Sequence, residues 1–233
     1  MRQEDFDVGG LAAYLHITPQ QVERLANRGK VPGRKVAGQW RFSSPEIHHW
    51  MEERMGLLPD NELQQMESAL GGSPSPDGLP LSRMLSVESI ALPLVAKTKR
   101  SAIEEMIELA TRTGMLWDPA RMIEAVQARE QLQSTAMPNG VALLHPRRPL
   151  ANVLAEPLLA LGVSFQGIPF GGGRSLTDVF ILICSTDDRG HLRTLARLSR
   201  MLQETTFLDG LRDAENPATA RGMFEDVESQ LSD

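Results

Sequence analysis

Asn139-Gly140-Val141-Ala142-Leu143-Leu144-His145-Pro146-Arg147-Arg148 is the stretch that orients the whole chain. A turn signal, Asn-Gly, is followed by an apolar run of strand length that ends on an imidazole, with two guanidiniums close behind. A strand ending on histidine presents a ring nitrogen at the rim of a sheet. Arginines nearby suit an anion, a phosphoryl group most of all.

The 233 residues are comfortable for one small and one medium domain. An apolar fraction of 41% and a charged fraction of 23% are ordinary for a globular chain. No apolar run approaches the roughly 20 residues of a membrane span, and the N-terminus has no apolar signal core, so no membrane insertion or secretion is expected. The single cysteine, Cys184, cannot form an internal disulfide, and no Cys/His spacing suggests a metal site. These features point to the cytoplasm, with Cys184 inside an apolar strand as core. The formal charge of -6 is unevenly spread: from Arg24 to Arg41 there are six basic residues and no acid. That block can meet phosphate although the chain as a whole is acidic.

Punctuation is clearest over the first 55 residues. Leu11, Ala12 and Leu15 lie at helical spacing, in a helix expected to end near His16. Thr18-Pro19-Gln20-Gln21 is a capping box with proline in its favoured first position, and Gly29 suits the residue just past the helix end. Arg34 to Phe42 reads as a β-hairpin about Ala37-Gly38-Gln39, and Ser44-Pro45-Glu46 opens a third helix with Ile47, Trp50 and Met51 inward. The adjacent His48 and His49 are expected at the surface. Residues 56–83 are expected to be a linker, with a short amphipathic helix from Asp60 to Leu70 striped by Leu63, Met66 and Leu70. The domain boundary is placed in Gly71-Gly72-Ser73-Pro74-Ser75-Pro76-Asp77-Gly78.

Residues 84–233 mix two periods. Helical stripes run through Ile103, Met106, Ile107 and Ala110, through Met122, Ile123 and Val126, and through Leu192, Leu195, Leu198 and Leu202. Strand-length apolar runs span Val141 to Leu144, Leu158 to Val163 and Val179 to Cys184, and a last helix is expected from Ala218 to Leu231. The expected fold class is α/β, a sheet covered by helices, behind a small helical head.

In the head, the helix from Pro19 to Arg28 turns Gln20, Gln21, Arg24, Asn27 and Arg28 away from its apolar side. These are side chains able to bond base edges in a major groove. Arg34, Lys35 and Arg41 on the hairpin would lie against the phosphate backbone. The segment resembles the winged helix-turn-helix of the excisionase and MerR-like group. The matching residues are Val8 to Leu15, Thr18 to Val22, Arg28 to Pro32, Val36 to Phe42 and Glu46 to Trp50. The resemblance implies binding of duplex DNA through residues 1–55, as a homodimer when bound, since one small head buries little surface.

From about Met84 to Arg212 the chain resembles a fructose/mannitol-type enzyme IIA domain of the bacterial sugar phosphotransferase system, nitrogen-regulatory members included. Four ordered blocks carry the match: Ala128 to Thr135, Asn139 to Arg147, Val179 to Leu182, and His191 to Ser199. The resemblance implies a mixed β-sheet with helices on both faces. It implies a phosphocarrier role, rather than that of a conventional enzyme, with no cofactor and no metal. His145 would accept a phosphoryl group from phospho-HPr, on Nε2, and pass it to an enzyme IIB or act on a regulatory target. Arg129 and His191 would hold the phosphoryl oxygens, the latter helped by the positive end of the helix that it begins, and Arg147 would add charge.

Leu144 and Pro146 depart from the family pattern, which has proline before the histidine and a small residue after it. Pro146 also removes a backbone N–H beside the ring. The sequence reading is of a regulator in which phosphorylation of His145 tunes the DNA-binding head. Two other readings compete: a plain phosphocarrier for sugar uptake, and a protein-interaction regulator that is never phosphorylated.

Overall fold

The computed structural model describes residues 5–15, 17–55, 58–70, 79–171 and 175–232. The head comprises α1 (Val8–Leu15), α2 (Pro19–Asn27), the hairpin β1 (Arg34–Val36) and β2 (Gln39–Arg41), and α3 (Ser44–Met55). Its local signals act as expected. The Thr18 hydroxyl accepts from Gln21 N while Gln21 Oε1 accepts from Thr18 N, closing the capping box. Gly29 ends α2 at φ +63°. The hairpin turns through Ala37 and Gly38, both at positive φ (50° and 79°), the geometry that matches strand twist in a two-residue turn.

Next comes α4 (Asp60–Leu70), beyond which residues 71–78, the expected boundary, lie outside the described residues; the Met66 side chain does too. Then follow α5 (Leu81–Met84), β3 (Leu85–Ala91), α6 (Lys99–Thr111), α7 (Pro119–Leu132), β4 (Val141–Leu144), β5 (Leu158–Ile168), β6 (Thr177–Cys184), α8 (Asp188–Met201), α9 (Thr205–Asp213) and α10 (Pro217–Ser232). The three expected strands are present. The sequence reading missed β3, α5 and α9.

Four strands form one sheet in the order β3-β5-β6-β4, with β3 parallel to β5, β5 antiparallel to β6, and β6 parallel to β4. The period of two divides the core. Ala142 and Leu144, with Leu182 and Phe180, face a core built on α6 and α7. Val141 and Leu143, with Ile181 and Ile183, face a second core shared with α8, α9, α10 and the head. The head's own core (Leu11, Val22, Phe42, Ile47, Met51) is continuous with this second one.

Within the expected linker, the described residues 58–70 are therefore packed and paired. Leu63 is fully buried in the shared core. Arg200 of α8 donates from Nε to Asp60 and from Nη1 to Glu67, both at 2.8 Å, and Arg197 pairs with Glu67 and with Glu228. Arg189 Nε donates to the Leu70 carbonyl at 2.9 Å, and Gln203 Nε2 to the Leu58 carbonyl at 3.0 Å. An amphipathic helix needs a partner for its apolar stripe, and α8 supplies it together with the cations that match the acids of α4.

Candidate functional site

His145 directly follows β4, and Ser185 directly follows β6. Because these strands run parallel with Leu144 opposite Leu182, their C-terminal ends open at the same rim. The Asp187 carboxylate caps α8 by accepting from Gly190 N at 2.8 Å, which sets His191 in the first turn of that helix. The two imidazole rings come to 5.0 Å between centroids. Arg129 reaches the same place from the last turn of α7, with Nη1 donating to the Gln133 carbonyl at 2.8 Å. Beside it, Glu130 is buried and bound by Thr135 N at 3.0 Å and Lys99 Nζ at 2.9 Å, so the end of α7 is held firmly.

One hydrogen bond decides the tautomer of His145. Its Nδ1 lies 2.8 Å from the Leu143 carbonyl oxygen, which can only accept. Nδ1 therefore carries the hydrogen, and the neutral ring keeps its lone pair on Nε2. Burial pushes the ring's pKa below its ordinary 6.5; Arg129 and His191 act the same way, and Glu52 opposes them. The neutral form is thus the resting one at pH 7. His191 Nδ1 lies 3.3 Å from Ser185 Oγ, and its Nε2 faces the same space as that of His145.

The space is occupied by a residue that sequence reasoning missed. Glu52, in α3 of the head, has Oε2 3.6 Å from His145 Nε2, 3.6 Å from His49 Nδ1 and 4.0 Å from Arg129 Nε. Its Oε1 lies 3.5 Å from His191 Nε2. The side chains of Glu52, His145, His191 and Arg129 are each only 4–5% exposed. The expectation that His145 opens to solvent at a sheet rim is corrected here: the rim exists, and the head covers it. Burial works against a charge on Glu52. His145 and His191 act against that when they are protonated, and they hold the carboxyl below the ordinary range.

The remaining expected residues divide. Arg147 is exposed on the loop beyond His145, and among the described residues no hydrogen bond or ion pair joins it to the cluster. His48 was expected at the surface but is 8% exposed, with Nε2 2.9 Å from the Tyr14 hydroxyl and Nδ1 3.6 Å from Asp188 of α8. His49 is half-buried between Glu52 and Glu53. Cys184 is fully buried, and burial pushes its thiol up to about 12.

No ligand spacing in the sequence suggested a metal, yet Glu52, His145 and His191 bring three ligand atoms within 4.8 Å of one another. The donor types would suit a divalent ion. Against this, the Arg129 guanidinium stands 4.0 Å from one of the oxygens and would repel a dication.

On the head, Gln20, Arg24 and Asn27 are exposed on α2, and so is Arg28 at its C-cap. Gln21 is exposed too, but its carbonyl oxygen is engaged in the capping box. On the hairpin, Arg34 is paired with Asp5 at 2.8 Å, Lys35 sits over the Trp40 ring, and Arg41 is half-buried. Among the described residues, no helix is long and apolar enough to cross a membrane.

Comparison with known proteins matches this geometry to a family. Residues 83–227 match the family model described as "Phosphoenolpyruvate-dependent sugar phosphotransferase system, EIIA 2", and residues 6–55 match a helix-turn-helix domain. The fructose-specific EIIA component of Haloferax volcanii is 27% identical over 150 residues, covering 63% of this chain and 96% of that protein. The nitrogen regulatory protein of Escherichia coli K12 is 28% identical over 156 residues, covering 64% and 92%. The fructose-specific EIIABC component of Bacillus subtilis is 29% identical over 139 residues, 58% of this chain; the chain spans only 21% of that longer protein. Among solved structures, the Neisseria meningitidis nitrogen regulatory protein IIA-Ntr superposes with a TM-score of 0.55 at 21% identity, covering 61% of this chain and 97% of that one. The IIA mannitol structure from Escherichia coli gives 0.53 at 19% identity, covering 60% and 97%. These structural likenesses establish the mixed sheet flanked by helices. The chain belongs to the EIIA 2 family of the phosphoenolpyruvate-dependent sugar phosphotransferase system and carries a helix-turn-helix domain ahead of its IIA domain.

Proposed function

We propose that this protein is a cytoplasmic regulator in which His145 accepts a phosphoryl group from phospho-HPr and thereby modulates DNA binding by the head. The observation that carries the reading is the tautomer: Nδ1–H is committed to the Leu143 carbonyl, so the free lone pair belongs to Nε2. A nitrogen lone pair beside one guanidinium and a second imidazole is what phosphoryl transfer between histidines asks for. The lone pair of His145 Nε2 attacks phosphorus, the N–P bond of the donor breaks, and its electron pair returns to the donor ring. Arg129 and His191 take up the charge on the phosphoryl oxygens, and no metal enters the step. An enzyme IIB or a regulatory target then receives or senses the group. One relative in the structural comparison is a complex of enzyme IIA and phosphorylated enzyme IIB for mannitol.

Exposed Gln20, Arg24 and Asn27 on α2, with Arg28 at its C-cap, support a base-reading role, and Lys35 and Arg41 a phosphate-positioning one. A dimer supplies the second half-site. Incubation with phosphoenolpyruvate, enzyme I and HPr tests the chemistry: acid-labile label on the wild type and none on His145→Ala is expected. Absence of label on wild-type protein and on every variant that uncovers the ring refutes it. Identical operator affinity for phosphorylated and unphosphorylated protein refutes the coupling.

A further inference from the structure

We propose that Glu52 is a plug: its carboxylate fills the anion pocket around His145, so the docked head and a phosphoryl group on Nε2 exclude each other. The proposal rests on His145 being the phosphoacceptor and adds how access to it is governed.

Three observations converge. The first is steric. Glu52 Oε2 stands 3.6 Å from the one nitrogen that can attack phosphorus. A phosphoryl group bonded there, or a donor approaching it, needs the volume this carboxylate holds. The second is electrostatic. Glu52 and Arg129 carry opposite charges 4.0 Å apart, so the pocket's cationic face meets a single negative charge. A phosphoryl group of about two negative charges would be better matched to the same donors, while Glu52 would become a repelling neighbour. The third is the looseness of the contacts. Glu52 Oε2, Arg129 Nε, His145 Nε2 and His191 Nε2 are all buried and none has a hydrogen-bond partner. Separations of 3.5–4.0 Å are beyond good hydrogen-bond reach, so the plug occupies the pocket without satisfying it. A ligand that satisfies those atoms displaces it at little cost.

Leverage on the head follows from α3. Glu52 lies between Met51 and Met55, which are buried in the head's core, and Trp50 Nε1 donates to the Lys30 carbonyl that follows α2. Moving Glu52 out moves α2 and the hairpin with it. The exposed face of α2 is not covered in the docked state. Ejection therefore alters how the head is presented or paired, and it does not unmask the reading residues.

The experiment uses the full chain as wild type, Glu52→Gln, Glu52→Ala and, as a charge control on the same helix, Glu46→Ala. Initial rates of His145 phosphorylation by enzyme I, HPr and phosphoenolpyruvate are measured alongside carbethoxylation of His145 by diethyl pyrocarbonate, read by peptide mass spectrometry. If the pocket is open a tenth of the time, permanent opening raises both rates about tenfold. That rise in either Glu52 variant, with Glu46→Ala unchanged, supports the plug. Glu52→Gln keeps the side-chain volume should Glu52→Ala fail to fold. Equal phosphorylation and equal carbethoxylation across all four proteins overturn the plug and leave the phosphoacceptor role intact. Raised carbethoxylation with no phosphorylation in any protein overturns the phosphoacceptor role and the competition with it. Acceleration of the wild type by EDTA to the variant rate assigns closure to a metal bridge and also overturns the plug.

Discussion

Glu52 of the head and His145 of the IIA domain face each other at 3.6 Å, oxygen to Nε2, with both side chains 4% exposed. His49, His191 and Arg129 complete the surroundings of that carboxylate. The pair makes stability depend on pH in a predictable direction. His145 titrates below its ordinary 6.5 in the fold, so the unfolded chain takes up the proton first on acidification. Its stabilising share is complete above pH 6.5 and is lost as pH falls through the folded value. Glu52, held below its ordinary 4.5, contributes fully above that pH and loses its share at still lower pH. Melting temperature should therefore decline in two stages on acidification. His145→Gln should flatten the first stage and Glu52→Gln the second; an unchanged profile in both variants contradicts the assignment.

Arg200→Met should loosen α4. Glu67 is 6% exposed and shares its carboxylate between Arg200 and Arg197, while Arg200 also holds Asp60. Removing one cation leaves a buried carboxylate half-paired, at a cost of about 1–3 kcal/mol. Urea unfolding of the full chain measures it. Asp60→Asn, which removes the more exposed partner, should cost less than about 1 kcal/mol.

Gly140→Ala should disturb the approach to His145. Gly140 has φ +86°, and a Cβ there would stand 2.7 Å from Asp178 Oδ1 and 2.9 Å from Arg212 Nη2. Those two side chains are paired at 2.8 Å, and Arg212 also donates to the Asn139 carbonyl, so neither yields freely. Backbone strain alone is worth about 1–3 kcal/mol. Thermal denaturation should show the loss, and phosphorylation of His145 should slow because β4 begins at the next residue.

For the head, fluorescence anisotropy with operator and random duplexes separates two roles. Arg24→Ala should cost about 1–3 kcal/mol on the operator and relax its sequence preference. Lys35→Ala should weaken all duplexes alike and lower the salt slope by about one. Arg34→Ala should do less, because Asp5 already neutralises that guanidinium. Equal effects of Arg24→Ala on operator and random DNA would remove α2 from the base-reading role.

Much of the fold is written in short-range pattern. The capping box at Thr18, the glycine past α2, the hairpin and the strand running into His145 all depend on neighbours in sequence, and each was legible. Ordered blocks likewise identified Arg129, His145 and His191 as one set. Three elements escaped for local reasons, α5 because it is a single turn of four residues. β3 is a sheet edge whose Ser86, Glu88 and Ser89 break any apolar run, and α9 is short with Gly210 inside it. Arg147 lies near His145 in sequence, and among the described residues no hydrogen bond or ion pair joins it to the cluster.

The chain's linear pattern determined most of its elements and its two domain types, since capping, periodicity and turn chemistry act over a few residues. Tertiary structure alone decided that α3 lies on α8, that α4 is ion-paired to the same helix, and that Glu52 enters the pocket of His145. Glu52 carries only a faint local sign, its place one turn after His48 and beside Met51 on the packed side of α3. A carboxylate on a helix is ordinarily solvated, and only the packing of one domain on another turns it toward two histidines and an arginine.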